Sequence, residues 1–147
     1  MNKKSFHINI LIIEDDDLDT KILANGLLRF RNPPVKLYRA IDGITALELL
    51  TTDNVDIHIA NAPIIIILDL NLPRMNGIEF IKKIRAHPQL ASLLVFILST
   101  SSSIYEIREA YELNIGGYFV KAHAGPLYKD FLQMLEQYLS IVSLKYH

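Results

Sequence analysis

Acidic, hydroxyl and ammonium side chains follow four apolar runs of this chain, each at the point where the run ends. They are Glu14, Asp15, Asp16, Asp69, Ser99, Thr100 and Lys121. Carboxylates brought close together repel one another and raise each other's pKa, so the group needs positive charge to offset it. One lysine supplies a single charge, and magnesium, a hard cation with oxygen-only ligands, suits the remainder.

This set of side chains suits phosphoryl transfer onto a carboxylate. A magnesium ion held by one or two carboxylates keeps open positions that phosphate oxygens can occupy. The oxygens of a transferring phosphoryl group would then meet the metal, the ammonium of Lys121 and the hydroxyl of Ser99. Asp69 is the best candidate for the nucleophile, because it ends the most hydrophobic run, residues 64–68.

Five short runs rich in β-branched residues must position these side chains. They cover residues 8–13, 35–39, 64–68, 94–98 and 118–120. Nearly continuous apolar runs are typical of strands buried on both faces of a parallel sheet. Because helical patterns separate the runs, the sequence predicts an α/β fold with a doubly wound, five-stranded parallel sheet in the order 2-1-3-4-5. In that order the first, third, fourth and fifth strands are neighbours, so their polar ends converge.

The helical segments show apolar residues at near-helical spacing and residues that start or stop a helix. The first segment carries Leu18, Ile22, Leu27 and Phe30. The fourth carries Ile104, Ile107, Ala110 and Tyr111. The last carries Leu127, Phe131, Leu135 and Leu139. Asn76 is predicted to cap the third helix, and Asp16 and Asp17 are expected to cap or stabilise the first.

The bulk composition limits the class of protein. The chain has 147 residues, half of them hydrophobic, so we expect a single domain, residues 1–147, with its core at about residues 8–139 and no output domain. The absence of cysteine excludes a disulfide scaffold and a thiolate metal site. A net charge of −1 without a basic stripe argues against a nucleic-acid partner. No apolar run is long enough to span a membrane, so we expect a cytoplasmic protein.

Five segments taken together resemble the receiver domains of bacterial response regulators, including the single-domain chemotaxis regulator. They are Ile-Ile-Glu-Asp-Asp at 12–16, Leu-Asp-Leu-Asn-Leu-Pro at 68–73, Met-Asn-Gly at 75–77, Ile-Leu-Ser-Thr-Ser at 97–101 and Gly-Tyr-Phe-Val-Lys at 117–121. Each ends a predicted strand or opens a helix, and all five occur in order. The resemblance covers nearly the whole chain and implies the flavodoxin-like receiver fold.

The resemblance also implies a role for each metal ligand. Asp15 would ligate magnesium directly, and Glu14 would act mainly through a water. Asp69 would ligate the metal and become the aspartyl phosphate, and the backbone carbonyl of Asn71 would complete the protein ligands.

Three further residues have implied roles in the response to phosphorylation. Ser99 would contact the phosphoryl oxygens, and Lys121 would bridge them to Asp69. Tyr118 would be the aromatic switch, whose ring moves inward on activation. A phosphohistidine on a sensor kinase would be the donor, and a downstream protein target would read the change.

Two positions depart from the family pattern. The family usually has proline after the lysine, whereas Ala122 follows Lys121 here. The Lys121–Ala122 peptide is therefore open to either the cis or the trans form, the cis form costing roughly 2.5–4 kcal/mol without proline. Thr100 is bulkier than the usual neighbour of the active hydroxyl, so it bears on how fast the phosphoryl group hydrolyses.

Several details resemble the receivers that partner phytochrome-type histidine kinases. These are Asn-Leu-Pro at 71–73, His87-Pro88 at a helix end, Tyr-Glu-Leu at 111–113, the missing Lys-Pro and the long stretch 51–63. The implied function is a stand-alone, phosphorylation-controlled switch and not an enzyme, apart from its own phosphorylation and dephosphorylation.

Alternative functions fit parts of the same pattern. A phosphotransfer shuttle or sink would use the same acceptor. A magnesium-dependent phosphatase with an aspartyl nucleophile typically needs a second acid two residues later, where this chain has Asn71. A degenerate receiver that only binds partners would not need the complete set of acids, hydroxyl and lysine.

Structural interpretations also compete with the functional ones. Ser99 could cap the fourth helix, and Tyr118 could be a half-buried tyrosine with its hydroxyl in water. Surface positions are expected for the histidines, which share no zinc-ligand spacing: His7, His58, His87, His123 and His147. A homodimer could form through the face of helix 4, strand 5 and helix 5, or through the broad apolar stripe of the C-terminal helix.

Overall fold

Residues 6–52 and 62–144 are described by the computed structural model of this chain. His58, His147 and most of the stretch 51–63, all considered above, lie outside the described residues.

Five parallel strands form one sheet in the order β2-β1-β3-β4-β5, which confirms the predicted α/β fold and strand order. The strands are β1 (Ile8–Ile13), β2 (Val35–Ala40), β3 (Ile64–Leu68), β4 (Leu94–Ser99) and β5 (Gly117–Val120). Their registers place Ile13 beside Leu68 and Leu68 beside Ile97. The carboxyl ends of β1 and β3 are therefore level and β4 runs two residues further, so polar residues at and after these ends share one edge.

In the part of the chain that the structure describes, five α-helices connect and follow the strands. They are α1 (Asp17–Leu27), α2 (Gly43–Thr51), α3 (Gly77–Ala86), α4 (Ile104–Glu112) and α5 (Lys129–Ile141). Two short 3-10 turns, Lys121–His123 and Pro126–Tyr128, lie between β5 and α5. Within the described ranges, no helix combines the length and apolar character needed to cross a bilayer.

Four of the helices begin at a polar residue whose side chain accepts a hydrogen bond from the amide three residues later. The caps are Asp16, Asp42, Asn76 and Ser103. Such caps satisfy amides that have no partner inside the helix. The predictions for Asn76 and Asp16 are confirmed, whereas the interpretation of Ser99 as the cap of α4 is wrong, because Ser103 holds that position.

The sheet has an apolar core on each face. Alternate residues of β1 divide between them, Leu11 and Ile13 on one face and Ile10 and Ile12 on the other. Helices α2 and α3 contribute to the first core, and α1 and α5 to the second. Because β1 and β3 are buried on both faces, they carry the continuous apolar runs that the sequence showed.

The predicted helix faces are partly wrong. Leu18 and Leu127 were expected on core-facing stripes, yet they are 68% and 73% exposed, and Ile104 is 64% exposed. Leu127 lies in the turn before α5 rather than in that helix. Phe30 is buried, but three residues beyond the end of α1. Near-helical spacing continues past the true helix ends at Phe30 and Leu127, whereas Leu18 and Ile104 lie in the first turns of α1 and α4, on sides of these helices that face solvent.

The Lys121–Ala122 peptide is trans. Asn32–Pro33 is the only cis peptide bond in the described part of the chain. Alanine therefore follows the lysine without a cis bond.

Candidate functional site

Three carboxylates meet at the carboxyl edge of the sheet. Glu14 and Asp15 directly follow β1, and Asp69 directly follows β3. One carboxylate oxygen from each lies within 4.8 Å of the others. Glu14 and Asp69 are buried, whereas Asp15 is exposed, so the group is closed toward the core and open to solvent on one side.

Lys121 completes the group from the end of β5. Its Nζ lies 2.7 Å from Glu14 Oε1, 2.8 Å from Asp19 Oδ2 and 3.4 Å from Asp69 Oδ2. Burial alone would lower the pKa of Lys121, but its hydrogen bonds to Asp19 and Glu14 outweigh burial and raise it. The lysine therefore keeps a fixed positive charge among the acids.

The ionised form of Glu14 is destabilised in this site. Burial raises its pKa to about 7, helped by the negative charge of Asp69 and opposed by the hydrogen bond from Lys121. One ammonium is thus too little positive charge for these carboxylates. A further cation would favour the charged form of Glu14.

The donor set fits a hard divalent cation. Every side-chain ligand that the three acids offer is an oxygen, which suits magnesium or a similar ion. Within the described ranges this is the one group of three or more acidic, histidine or cysteine side chains close enough to share a metal. No histidine belongs to it, and His123 is exposed while His7 and His87 are half-buried.

Asp69 is fixed in place by the backbone around it. Its amide donates to the carbonyl of Ile13 at 3.0 Å, and its Oδ1 accepts from the amide of Asn71 at 3.2 Å. A Cβ on Gly77 would come within 2.8 Å of the Asp69 carbonyl oxygen, so only glycine lets the start of α3 approach this closely.

Ser99 and Asn71 lie on neighbouring segments of the same edge. Ser99 is the last residue of β4, is fully buried, and its Oγ accepts from the amide of Ser101 at 3.3 Å. The side-chain amide of Asn71 donates to the hydroxyl of Thr100 at 3.3 Å. Metal binding by the Asn71 carbonyl stays a prediction.

Tyr118 links β5 to the loop between β4 and α4. Its hydroxyl donates to the carbonyl of Ser101 at 2.8 Å, and its amide donates to the hydroxyl of Tyr111 at 3.1 Å. Partial burial raises the pKa of Tyr118. Tyr118 is half-buried, as the competing interpretation expected, but its hydroxyl is bonded to the backbone of the loop that follows Ser99.

Sequence reasoning missed two residues of this site, Asp19 and Tyr128. Asp19 lies in the first turn of α1 and binds Lys121, and its other oxygen accepts from the hydroxyl of Tyr128 at 2.6 Å. The available signal was a further acid one helical turn after Asp15, in the first turn of α1. In the predicted fold this end of α1 lies at the same edge of the sheet as the end of β5.

Comparison with known proteins gives a consistent result. The family model described as the response regulator receiver domain matches residues 10–130. The chain is 30% identical over 131 residues to the chemotaxis protein CheY-3 of Vibrio cholerae, covering 88% of this chain and 92% of that protein. The crystal structure of the phosphorylated cyanobacterial phytochrome response regulator RcpA is similar, with a TM-score of 0.82, 29% identity, and coverage of 94% of this chain and 98% of that one.

A second solved structure bears on the cation. The Mn²⁺-bound form of response regulator Rcp1 is similar to this chain with a TM-score of 0.75 and 29% identity, covering 93% of this chain and 98% of that one.

Proposed function

Because the chain belongs to the response regulator receiver domain family, we propose that it is a response regulator that accepts a phosphoryl group from a sensor histidine kinase on Asp69. The observation that carries the proposal is the convergence at Asp69. Its Oδ2 lies 3.4 Å from the ammonium of Lys121, and its carboxylate lies within 4.8 Å of those of Glu14 and Asp15.

The transfer itself needs little covalent chemistry from the chain. A carboxylate oxygen of Asp69 attacks the phosphorus of the phosphohistidine, the P–N bond breaks, and its electron pair stays on the imidazole nitrogen. Lys121 donates to one phosphoryl oxygen, and the hydroxyl of Ser99 donates to another. Both donors are held in place before transfer, which is what lowers the barrier in such reactions.

The cation site belongs to the same proposal. Asp15, Asp69 and the backbone carbonyl of Asn71 would hold a magnesium ion, and Glu14 would act mainly through a water. When bound, the ion offsets negative charge on the phosphoryl oxygens. The oxygen-only donors of this chain and the Mn²⁺-bound relative support a divalent cation here.

Phosphorylation would be read out through the loop after β4. Drawing Ser99 and Lys121 toward the new charge shifts that loop, and Tyr118, bonded to the Ser101 carbonyl, moves with it. The change biases two arrangements of the face formed by α4, β5 and α5, where a downstream protein or a second copy of the chain would bind. On this proposal the chain is a switch and not an enzyme.

Asp69→Asn tests the acceptor. Incubation with labelled acetyl phosphate and magnesium should give stable label on the wild-type chain and none on this variant, because the amide is a poor nucleophile. Asp17→Asn is the matched control, since it makes the same charge change at a residue that is 90% exposed and bonded to Arg39 instead. Equal labelling of Asp69→Asn and wild type would exclude Asp69 as the acceptor.

The kinase partner is proposed to be of the phytochrome type, and the chain itself is proposed to be cytoplasmic. Similarity to the phytochrome response regulator RcpA supports it. Phosphotransfer profiling against all histidine kinases of one genome should show fastest transfer from a phytochrome-type kinase. Fastest transfer from a kinase of another type would contradict this assignment without touching the role of Asp69.

A further inference from the structure

All three protons of the Lys121 ammonium are already engaged. The ammonium has three donors, and the structure gives it three carboxylate partners, Glu14, Asp19 and Asp69. A phosphoryl group on Asp69 brings new oxygens that need one of those donors. One existing bond of the lysine must therefore break when the acceptor is phosphorylated.

Asp19 is the partner that can be released at least cost. Its side chain is 24% exposed, against 4% for Glu14 and 8% for Asp69. A carboxylate that reaches water can exchange the lysine for solvent, whereas the buried Glu14 would lose the donor to its Oε1. Glu14 and Asp19 both hold the ammonium more closely than the acceptor does, since Lys121 lies 2.7 and 2.8 Å from them and 3.4 Å from Asp69.

Tyr128 holds Asp19 in position for this contact. Its hydroxyl donates to Asp19 Oδ1 at 2.6 Å, while Asp19 Oδ2 binds Lys121. Burial, together with the bond to Asp19, raises the pKa of Tyr128 to about 12, so the hydroxyl stays a donor. Tyr128 is the residue directly before α5, so the chain of contacts runs from Lys121 through α1 to the start of α5.

The segment that carries Tyr128 is held in unusual backbone geometry. Leu127 and Tyr128 have φ of 52° and 58°, a left-handed conformation that costs free energy for residues other than glycine. Such a conformation persists only while neighbouring contacts hold it. The Tyr128–Asp19 bond is one of those contacts.

The geometry points to a latch, formed by Asp19 and Tyr128, that keeps one donor of the Lys121 ammonium engaged until a phosphoryl group on Asp69 competes for it. The latch rests on the proposed function and adds regulation to it. Asp19 is a positioning residue, since it acts through Lys121 and touches no reacting atom. Opening the latch would loosen the start of α5 by a route separate from Tyr118.

Asp19→Asn tests the latch, with beryllofluoride plus magnesium as the probe of the phosphorylated state. Removing the competing charge should tighten beryllofluoride binding about three- to tenfold, the scale of one partly exposed charged hydrogen bond. Asp17→Asn is the matched control, because it removes the same charge from the same turn without touching Lys121. An affinity for Asp19→Asn that is unchanged, weaker, or equal to that of Asp17→Asn would overturn the latch.

Tyr128→Phe separates positioning from simple charge removal. In the Tyr128→Phe background the latch is already loosened, so Asp19→Asn should add less than about twofold. An undiminished effect in that background would show that only the charge of Asp19 matters, and the latch would be wrong.

Hydrogen exchange on the wild-type chain needs no variant. The amides of Asp130 and Phe131 donate to the carbonyl of Ala124 at the start of α5. Beryllofluoride should speed their exchange if the latch opens, and unchanged or slower exchange would count against it. A wild-type chain that binds no beryllofluoride at all would remove the proposed function itself, which is a different result from bound ligand with an unresponsive Asp19.

Discussion

At the scale of single residues, Lys121 and Glu14 define the character of the site. Hydrogen bonds to Asp19 and Glu14 raise the pKa of Lys121 in spite of its burial, whereas burial raises the pKa of Glu14 to about 7 in spite of the hydrogen bond from Lys121. The site thus contains one ammonium shared by three carboxylates, and a buried carboxylate, Glu14, whose negative charge that ammonium offsets only in part. A divalent cation would offset the excess negative charge of the carboxylates, and a phosphoryl group on Asp69 would be a new acceptor for the ammonium of Lys121.

The sequence predicted the acids that follow strands but not those that approach from a helix. Glu14, Asp15 and Asp69 could be assigned to one edge because the strand order fixes where strands end. Asp19 could not, because it lies in the first turn of α1, and strand order does not fix which side chains of a helix reach Lys121. The ammonium of a lysine lies several ångströms from the backbone, and the spacing of residues in the sequence does not predict which acids it reaches.

Ser99→Ala tests the predicted hydroxyl contact. The side chain is fully buried at the end of β4, so its loss removes a donor that solvent cannot replace. Beryllofluoride affinity should fall about tenfold, as for one lost hydrogen bond to an anion. Titration of Ser99→Ala beside Ser140→Ala, a hydroxyl on α5 bonded only locally to Gln137, checks this. Equal affinities for the two variants would exclude Ser99 from phosphoryl binding.

At the scale of elements, the strands were easier to predict than the helices. A strand buried on both faces is apolar along its whole length, so its ends are visible in the sequence, as at Ile64–Leu68. A helix shows only a stripe, and stripe-like spacing extends into turns. Leu127 fits the spacing of α5 yet lies in a left-handed turn before it, fully outside the core.

The loop that carries Asn71 is tied to the start of α2 by an ion pair between the buried Asp42 and the exposed Arg74. Asp42 caps α2 and is 1% exposed, and it accepts from Arg74 Nε at 2.7 Å. Asp42→Ala should lower the free energy of unfolding by about 2–3 kcal/mol, because it removes both the cap and a charged hydrogen bond. Urea unfolding measures this. Asp42→Asn, which can still cap, should cost less, and an equal or larger cost for it would contradict this division of roles.

The same pair predicts a pH dependence of stability. Burial alone would raise the pKa of Asp42, but the bonds from Thr45 and Arg74 outweigh it and lower the pKa below 3.8. The stabilisation is therefore complete above the ordinary value and is lost as pH falls through the lower folded value. The stability difference between wild type and Asp42→Asn, measured by urea unfolding from about pH 7 to about pH 3, should shrink on acidification. A difference that grows toward low pH would reverse the assigned sign.

At the scale of the whole molecule, three helix–strand units deliver one ligand site. Glu14 and Asp15 come from the end of β1, Asp69 from β3 and Lys121 from β5, so the site forms only when the sheet is assembled. An ion bound there should stabilise the folded state as a whole, since the unfolded chain offers no such cluster.

Magnesium should raise the thermal midpoint of the wild-type chain. At ten times its dissociation constant the rise should be about 3–5 °C for a domain of this size. Asp15→Asn, which removes the exposed ligand, should abolish most of this rise, whereas Asp17→Asn should keep it. Thermal scans with and without magnesium decide the matter, and a similar rise in both variants would place the ion elsewhere.

A crystal structure of the chain with magnesium and beryllofluoride tests the central claim most directly. The account predicts one magnesium ion among Glu14, Asp15 and Asp69, with beryllofluoride on the Asp69 carboxylate in contact with Ser99 and Lys121. Beryllofluoride bound to another side chain, or no ligand at this edge under saturating conditions, would contradict it.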